Sequence, residues 1–221
     1  IDGFILKAKS PTCGTDKIKV YSAAGNSQPL GSVQNGMFAE EIVNQYEDYP
    51  IESERRLSNF NIREHFYIRV FTTARFKEIR NKPMKHLVKF HSNHKYLFMT
   101  FNQETMKTMG NIVANHTKSS LEEVYDLYHQ SLLTLLKTPV SKEKRINVLS
   151  HIYGYFKDFL TDAEKEYYFE TQNDYLESRI SYSNPLRVLK GFCVRFNQEY
   201  LLSQVIFEPY QKKSNYDDQQ R

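Results

Sequence analysis

The sequence predicts a mainly α chain: a C-terminal all-α helical bundle preceded by the last strand–loop–strand–helix part of a truncated α/β domain. Three observations predict it. The first 57 residues alternate short apolar runs with turn-forming stretches, and the chain opens at Ile1 in what reads as the middle of a strand. From about Asn61 onward the apolar spacing is helical throughout. In that second part prolines are sparse, and Pro83, Pro139, Pro185 and Pro209 each fall where one helical run gives way to the next.

Taken in order, "GFILKAK" (Gly3 to Lys9) reads as a buried strand with a basic edge, and Ser10 to Gly14 as a loop. "KIKVY" (Lys17 to Tyr21) alternates like a short strand. "SAAGNSQPLGS" (Ser22 to Ser32) is rich in turn formers and reads as a loop. "GMFAEEIVNQYEDY" (Gly36 to Tyr49) carries Met37, Phe38, Ile42, Val43 and Tyr46 at helical spacing, and "PIESERRL" (Pro50 to Leu57) reads as a connector. Helices are expected near 61–80, 83–100, 102–116, 120–137, 142–159, 162–180 and 185–204. Capping boxes are expected at Ser119…Glu122 and Thr161…Glu164, where a glutamate follows a hydroxyl residue by three. Three segments result: 1–57, the C-terminal portion of an α/β domain; 61–210, an all-α domain; and 211–221, a polar tail.

Composition narrows the function. The 221 residues are 40% hydrophobic, enough for a packed core, with no Trp but 16 Tyr and 15 Phe. Thirty Lys and Arg stand against 26 Asp and Glu, a balance that permits a nucleic-acid partner without demanding one. The charge is uneven, however. Between Arg63 and Gly110 ten cations face three carboxylates, a local net of +7 in a chain whose total is +4. That concentration is what a phosphate-facing surface needs, although a solvated helix face is often lysine-rich too. Two distant cysteines, Cys13 and Cys193, make no disulfide framework and point to a reducing, cytoplasmic setting. No apolar run approaches the roughly 20 residues that span a bilayer, so no membrane association is expected.

Cys13 stands in "KAKSPTCG", just past a strand end. A lone cysteine is most often structural. Here Lys7, Lys9 and Lys17 favour the thiolate, and Gly14 lets backbone N–H groups approach the sulfur. Ser10 reads as a turn residue before Pro11. Cys193, among Phe192, Val194 and Phe196, reads as a buried structural thiol. His91 and His94 have the i, i+3 spacing of a metal pair, but no Cys or carboxylate cluster accompanies them, and a polar face or ordinary helix packing is the stronger reading. Gly154, placed inside the expected 142–159 helix, costs about 1 kcal/mol there relative to Ala and points to a close helix approach.

"IDGFILKAKSPTCGTDKIKVY", "GMFAEEIVNQY" and "YPIESERRL" together resemble the C-terminal third of the thiouracil desulfidase (TudS-like) family. In that family three cysteines hold a 4Fe–4S cluster. Cys13 matches the third, and the segments bearing the other two, with the family's catalytic carboxylate, are not in this sequence. Three protein ligands leave one iron open to a thiocarbonyl sulfur, which water then replaces at carbon. Ser10 is the residue that would relay a proton or orient that water. "KFHSNHKY" (Lys89 to Tyr96), "NVLSHIYGYFK" (Asn147 to Lys157), "NPLRVLK" and "YLLSQVIFEPY" resemble the YbgA-like helical domain over most of 63–210. The two resemblances together imply a desulfidase acting on 4-thiouridine in tRNA, the helical part contributing RNA affinity. Lys89, His91, Lys95 and Lys157 are the candidate tRNA contacts. The alternatives are a non-catalytic helical adaptor that binds a protein, and a desulfidase of free thiouracil in which the helical domain only stabilises the fold.

Overall fold

The computed structural model describes residues 1–15, 18–22, 28–115 and 119–210. The expected polar tail at 211–221 and Lys17 lie outside the described residues. The chain forms two compact units, Ile1–Glu78 and Ile79–Arg221, and is mainly α, as the sequence predicts.

In the first unit β1 (Phe4–Leu6) pairs in parallel with β4 (Ile51–Ser53), Phe4 opposite Ile51 and Leu6 opposite Ser53. A parallel pair needs a crossover connection. It consists of the antiparallel hairpin β2 (Ile18–Tyr21) and β3 (Pro29–Val33), followed by α1 (Met37–Gln45). Leu6, Ala39, Ile42 and Leu57 are buried, and the Phe4 ring lies 5.0 Å from that of Tyr46. A single 3₁₀ turn (Arg56–Ser58) leads into α2 (Phe60–Ile79), which buries Phe66, Ile68, Thr72, Thr73 and Phe76.

Two strands run through segments expected to be loop or connector, β3 and β4. Pro29 and Gly31 are poor strand formers, so only pairing with β2 makes the first of them a strand. The second is three residues long, too short to show a period of two. The domain division also differs from the expected break between 57 and 61. It falls at the end of α2, because that helix is tied to the first unit. Arg69 donates to the Asp48 carbonyl at 3.0 Å, and Lys77 pairs with Asp2 at 2.9 Å while its ammonium lies 4.9 Å over the Tyr49 ring.

The second unit is helical: α3 (Met84–Phe101), α4 (Gln103–Ala114), α5 (Leu121–Lys137), α6 (Lys142–Tyr153), α7 (Asp162–Leu176), α8 (Ser183–Arg195) and the short α9 (Glu199–Leu202), then a 3₁₀ turn (Val205–Phe207). Helix α3 is the central element. It packs on α4, α5, α6 and the last 3₁₀ turn, and Tyr96 to Phe101 are all buried. Helix α6 begins with lysines, unfavourably for its own dipole, but they serve other helices. Lys144 donates to the Phe101 carbonyl at the end of α3 (2.6 Å), and Lys142 to the Leu176 carbonyl at the end of α7 (2.8 Å).

Helix ends account for the remaining differences. The Thr161/Glu164 capping box is present as expected. The other box is shifted by one residue, to Ser120 and Glu123. The expected 142–159 helix stops at Tyr153, so Gly154 caps the helix instead of interrupting it. The expected 185–204 helix divides because Asn197 adopts φ 49°, a left-handed conformation that asparagine tolerates, and the Gln198 N–H turns back to the Cys193 carbonyl at 3.0 Å.

Candidate functional site

The Cys13 loop is built on the carboxyl end of β1, where parallel α/β sheets hold their ligands. Its shape follows from three ties. Ser10 Oγ accepts from the Cys13 N–H at 3.1 Å and from the Thr12 N–H at 3.3 Å. The Gly14 N–H returns to the Ser10 carbonyl at 2.9 Å. The Thr12 carbonyl then accepts the Phe38 and Ala39 N–H groups at 2.9 and 3.0 Å, so the first turn of α1 is satisfied by the loop itself. This close approach requires Gly36: a Cβ there would lie 2.5 Å from the Pro11 carbonyl oxygen. The result holds Cys13 half-buried on a tied loop.

Of the lysines expected to favour its thiolate, Lys7 pairs with Glu54 at 3.0 Å. The Glu54 carboxyl also takes the Ala8 N–H at 2.7 Å, and these two contacts, the backbone one foremost, hold it below the usual carboxylate range. Glu54, not singled out from the sequence, is therefore a loop anchor. Ser10 acts as the turn residue its sequence context suggests, and accepting two N–H groups leaves its O–H a donor. Cys193 is fully buried in the second unit, where burial pushes its thiol up to about 11.

The cluster that the loop's resemblance implies needs more ligands than these residues supply. Such clusters are held by several thiolates. The loop offers one, and among the described residues no group of three or more His, Cys, Asp or Glu could hold a metal ion. The described residues do not by themselves form a cluster site.

In the second unit α3 carries Lys85, Lys89 and Lys95 and has neither Asp nor Glu along its 18 residues. The +7 stretch is less available than its sum suggests. Arg63 donates to the Leu57 carbonyl, Arg69 and Lys77 are held as described, and Arg80 pairs with Asp126. Lys85 and Lys89 are exposed and Lys95 is half-exposed, its ammonium 5.6 Å from the Tyr96 ring. Lys157 is exposed on the turn after α6, which buried Phe156 and Leu160 pin down.

His91 is elsewhere. Its Nδ1 lies 3.0 Å from the hydroxyl of fully buried Tyr128, and Gly110 of α4 leaves space for its Nε2. Burial, and then the charge of Lys95, push its pKa down to about 4. His94 is buried outright, where His91 is half-buried, and its Nδ1 lies 2.7 Å from the Phe90 carbonyl.

Sequence reasoning missed a tyrosine cluster. Tyr96 donates its O–H to that of Tyr155 at 3.2 Å, and its ring lies 6.5 Å from that of Tyr200 at 62°. The cluster draws α3, the turn after α6 and α9 together, bringing the segments of Lys95 and Lys157 to one place.

The second unit is thus an all-helical bundle around an acid-free central helix. The DUF1722 family, described as "Protein of unknown function", matches residues 95–211, more than half of the chain and all within the second unit. The chain belongs to that family. It is 24% identical over 151 residues to "Uncharacterized protein YbgA" of Escherichia coli (strain K12), spanning 67% of this chain and 89% of that protein. No solved structure matches it at a significant level. No helix among the described residues is long and apolar enough to cross a membrane.

Proposed function

We propose that this chain works in iron–sulfur-dependent removal of sulfur from 4-thiouridine in tRNA, in a reducing, cytoplasmic setting. Its helical unit binds the RNA, and its N-terminal unit presents Cys13 as one thiolate of a cluster whose other ligands come from outside the described residues. The observation that carries the reading is the loop itself. A half-buried thiol on a tied loop at the carboxyl end of a parallel strand has the position of a ligand, whereas a packing cysteine is buried as Cys193 is. The acid-free surface of α3 supports the RNA half.

The test uses the natural full-length protein, reconstituted anaerobically with iron and sulfide. Cys13→Ser removes the cluster absorption and desulfuration of 4-thiouridine tRNA, and Cys193→Ser leaves both in place. Ser10→Ala keeps iron but lowers turnover about 10²–10⁴-fold, the range for a positioned proton-transfer group. Undiminished iron in the Cys13 variant overturns the assignment.

A second reading, a protein-binding adaptor, is favoured by the exposure of Tyr167, Phe169 and Val194 on α7 and α8. Salt-tolerant binding of a protein, with no salt-sensitive RNA affinity, would select it.

A further inference from the structure

We propose that Tyr155 and Tyr200, braced by Tyr96, form a stacking platform for unpaired bases of an RNA strand, with Lys89, Lys95 and Lys157 meeting its phosphates; this rests on the RNA-binding reading of the helical unit. Both outer rings are open to solvent, Tyr155 at 42% and Tyr200 at 38%, while Tyr96 beneath them is 2% exposed. Phe159, on the same turn as Tyr155, is 67% exposed. A ring kept for packing buries its faces; these rings are instead held from beneath by Tyr96. The Tyr96 O–H reaches Tyr155, and the Tyr200 ring packs with its centroid 6.5 Å from that of Tyr96.

The brace continues inward. Gln204, 3% exposed, donates to the Ser92 carbonyl at 2.9 Å and accepts the Tyr96 N–H at 3.4 Å. Ser203 reaches the Asn93 side chain at 3.4 Å. Four hydrogen bonds thus order this surface. A platform fixed in advance loses little side-chain entropy when a base lands on it.

The chemistry selects the ligand. Every base has a π face, but only an unpaired base can offer it to a side chain; in a duplex the faces are closed by stacking. Burial raises the pKa of Tyr96 and Tyr200, so their hydroxyls stay neutral beside a polyanion. The flanking cations come from α3 and the Tyr155 turn.

The experiment titrates the full chain with a labelled unstructured 12-nucleotide RNA, a blunt 12-base-pair RNA duplex and folded tRNA, each at several salt concentrations. Tyr155→Leu and Tyr200→Leu weaken single-strand binding about 5- to 100-fold each, the range for losing one stacked base, and leave duplex affinity and the salt slope unchanged. Tyr200→Phe keeps the ring and binds within about twofold of the parent, and Tyr155→Phe, which also gives up the hydroxyl tie to Tyr96, loses less than Tyr155→Leu. Helical circular dichroism and thermal melting confirm that each variant is folded. Folded Leu variants that bind the single strand like the parent, or that lose strand and duplex alike, overturn the platform. If the parent binds duplex and tRNA with a steep salt slope but shows no strand preference, the platform falls and the RNA reading stands. If no RNA binds in a salt-dependent way, both fall.

Discussion

His91 shows how a residue's address in sequence and its role in space diverge. In "KFHSNHKY" it stands among polar and basic neighbours, yet its half-buried ring is spent against Tyr128 and Gly110. Its folded pKa of about 4 lies below the ordinary 6.5. The unfolded chain therefore takes up this proton first as pH falls. The stability this site contributes is whole above about 6.5 and is lost between there and about 4. Urea unfolding at pH 7.5, 6.5, 5.5 and 4.5 should show the parent losing on the order of 2–3 kcal/mol more than His91→Gln across that window. Parallel slopes for parent and variant would contradict the burial. At neutral pH, His91→Gln should leave the salt slope of RNA binding intact, since a neutral ring releases no counterion.

Helix ends are where the elements are decided. The α5 start offers two adjacent serines, each followed three residues later by a glutamate. In the fold Ser120 accepts the Glu123 N–H at 3.2 Å and Glu123 returns to the Ser120 N–H at 2.8 Å. Ser120→Ala should cost about 1 kcal/mol by thermal or urea unfolding, and Ser119→Ala close to nothing; the reverse order would move the cap back by one. At the Cys13 loop, the carbonyl of Thr12 satisfies the N–H groups that begin α1. Loop and helix therefore form together, and a side chain at Gly36 disturbs both.

For the whole molecule the question is which cations face outward. A lysine that neutralises a phosphate lowers the salt slope by about one unit when removed. Lys89→Ala, Lys95→Ala and Lys157→Ala should each do so in tRNA titrations of the full chain. Lys142→Ala should instead lower stability and leave the slope alone, because its ammonium is held by the end of α7. Equal slopes for the first three variants and the parent would remove this face from the RNA site.

Periodicity and hydroxyl–glutamate pairs were enough to read α2 to α8 to within a few residues at most ends, because a helix is local: its hydrogen bonds and its buried stripe are set by residues three and four apart. The cysteine loop was legible for the same reason, since Ser10, Thr12, Cys13 and Gly14 bond among themselves. The pairing of β1 with β4, the conversion of Pro29–Val33 into a strand and the grouping of α2 with the first unit were not legible. Each depends on partners far away in the chain, and no local pattern carries their register. The same holds for the surface. Sequence alone determined that the segment around α3 is basic; the tertiary structure decided which of its cations are spent on carbonyls and carboxylates, and it alone brought Tyr200 and Tyr155 to Tyr96.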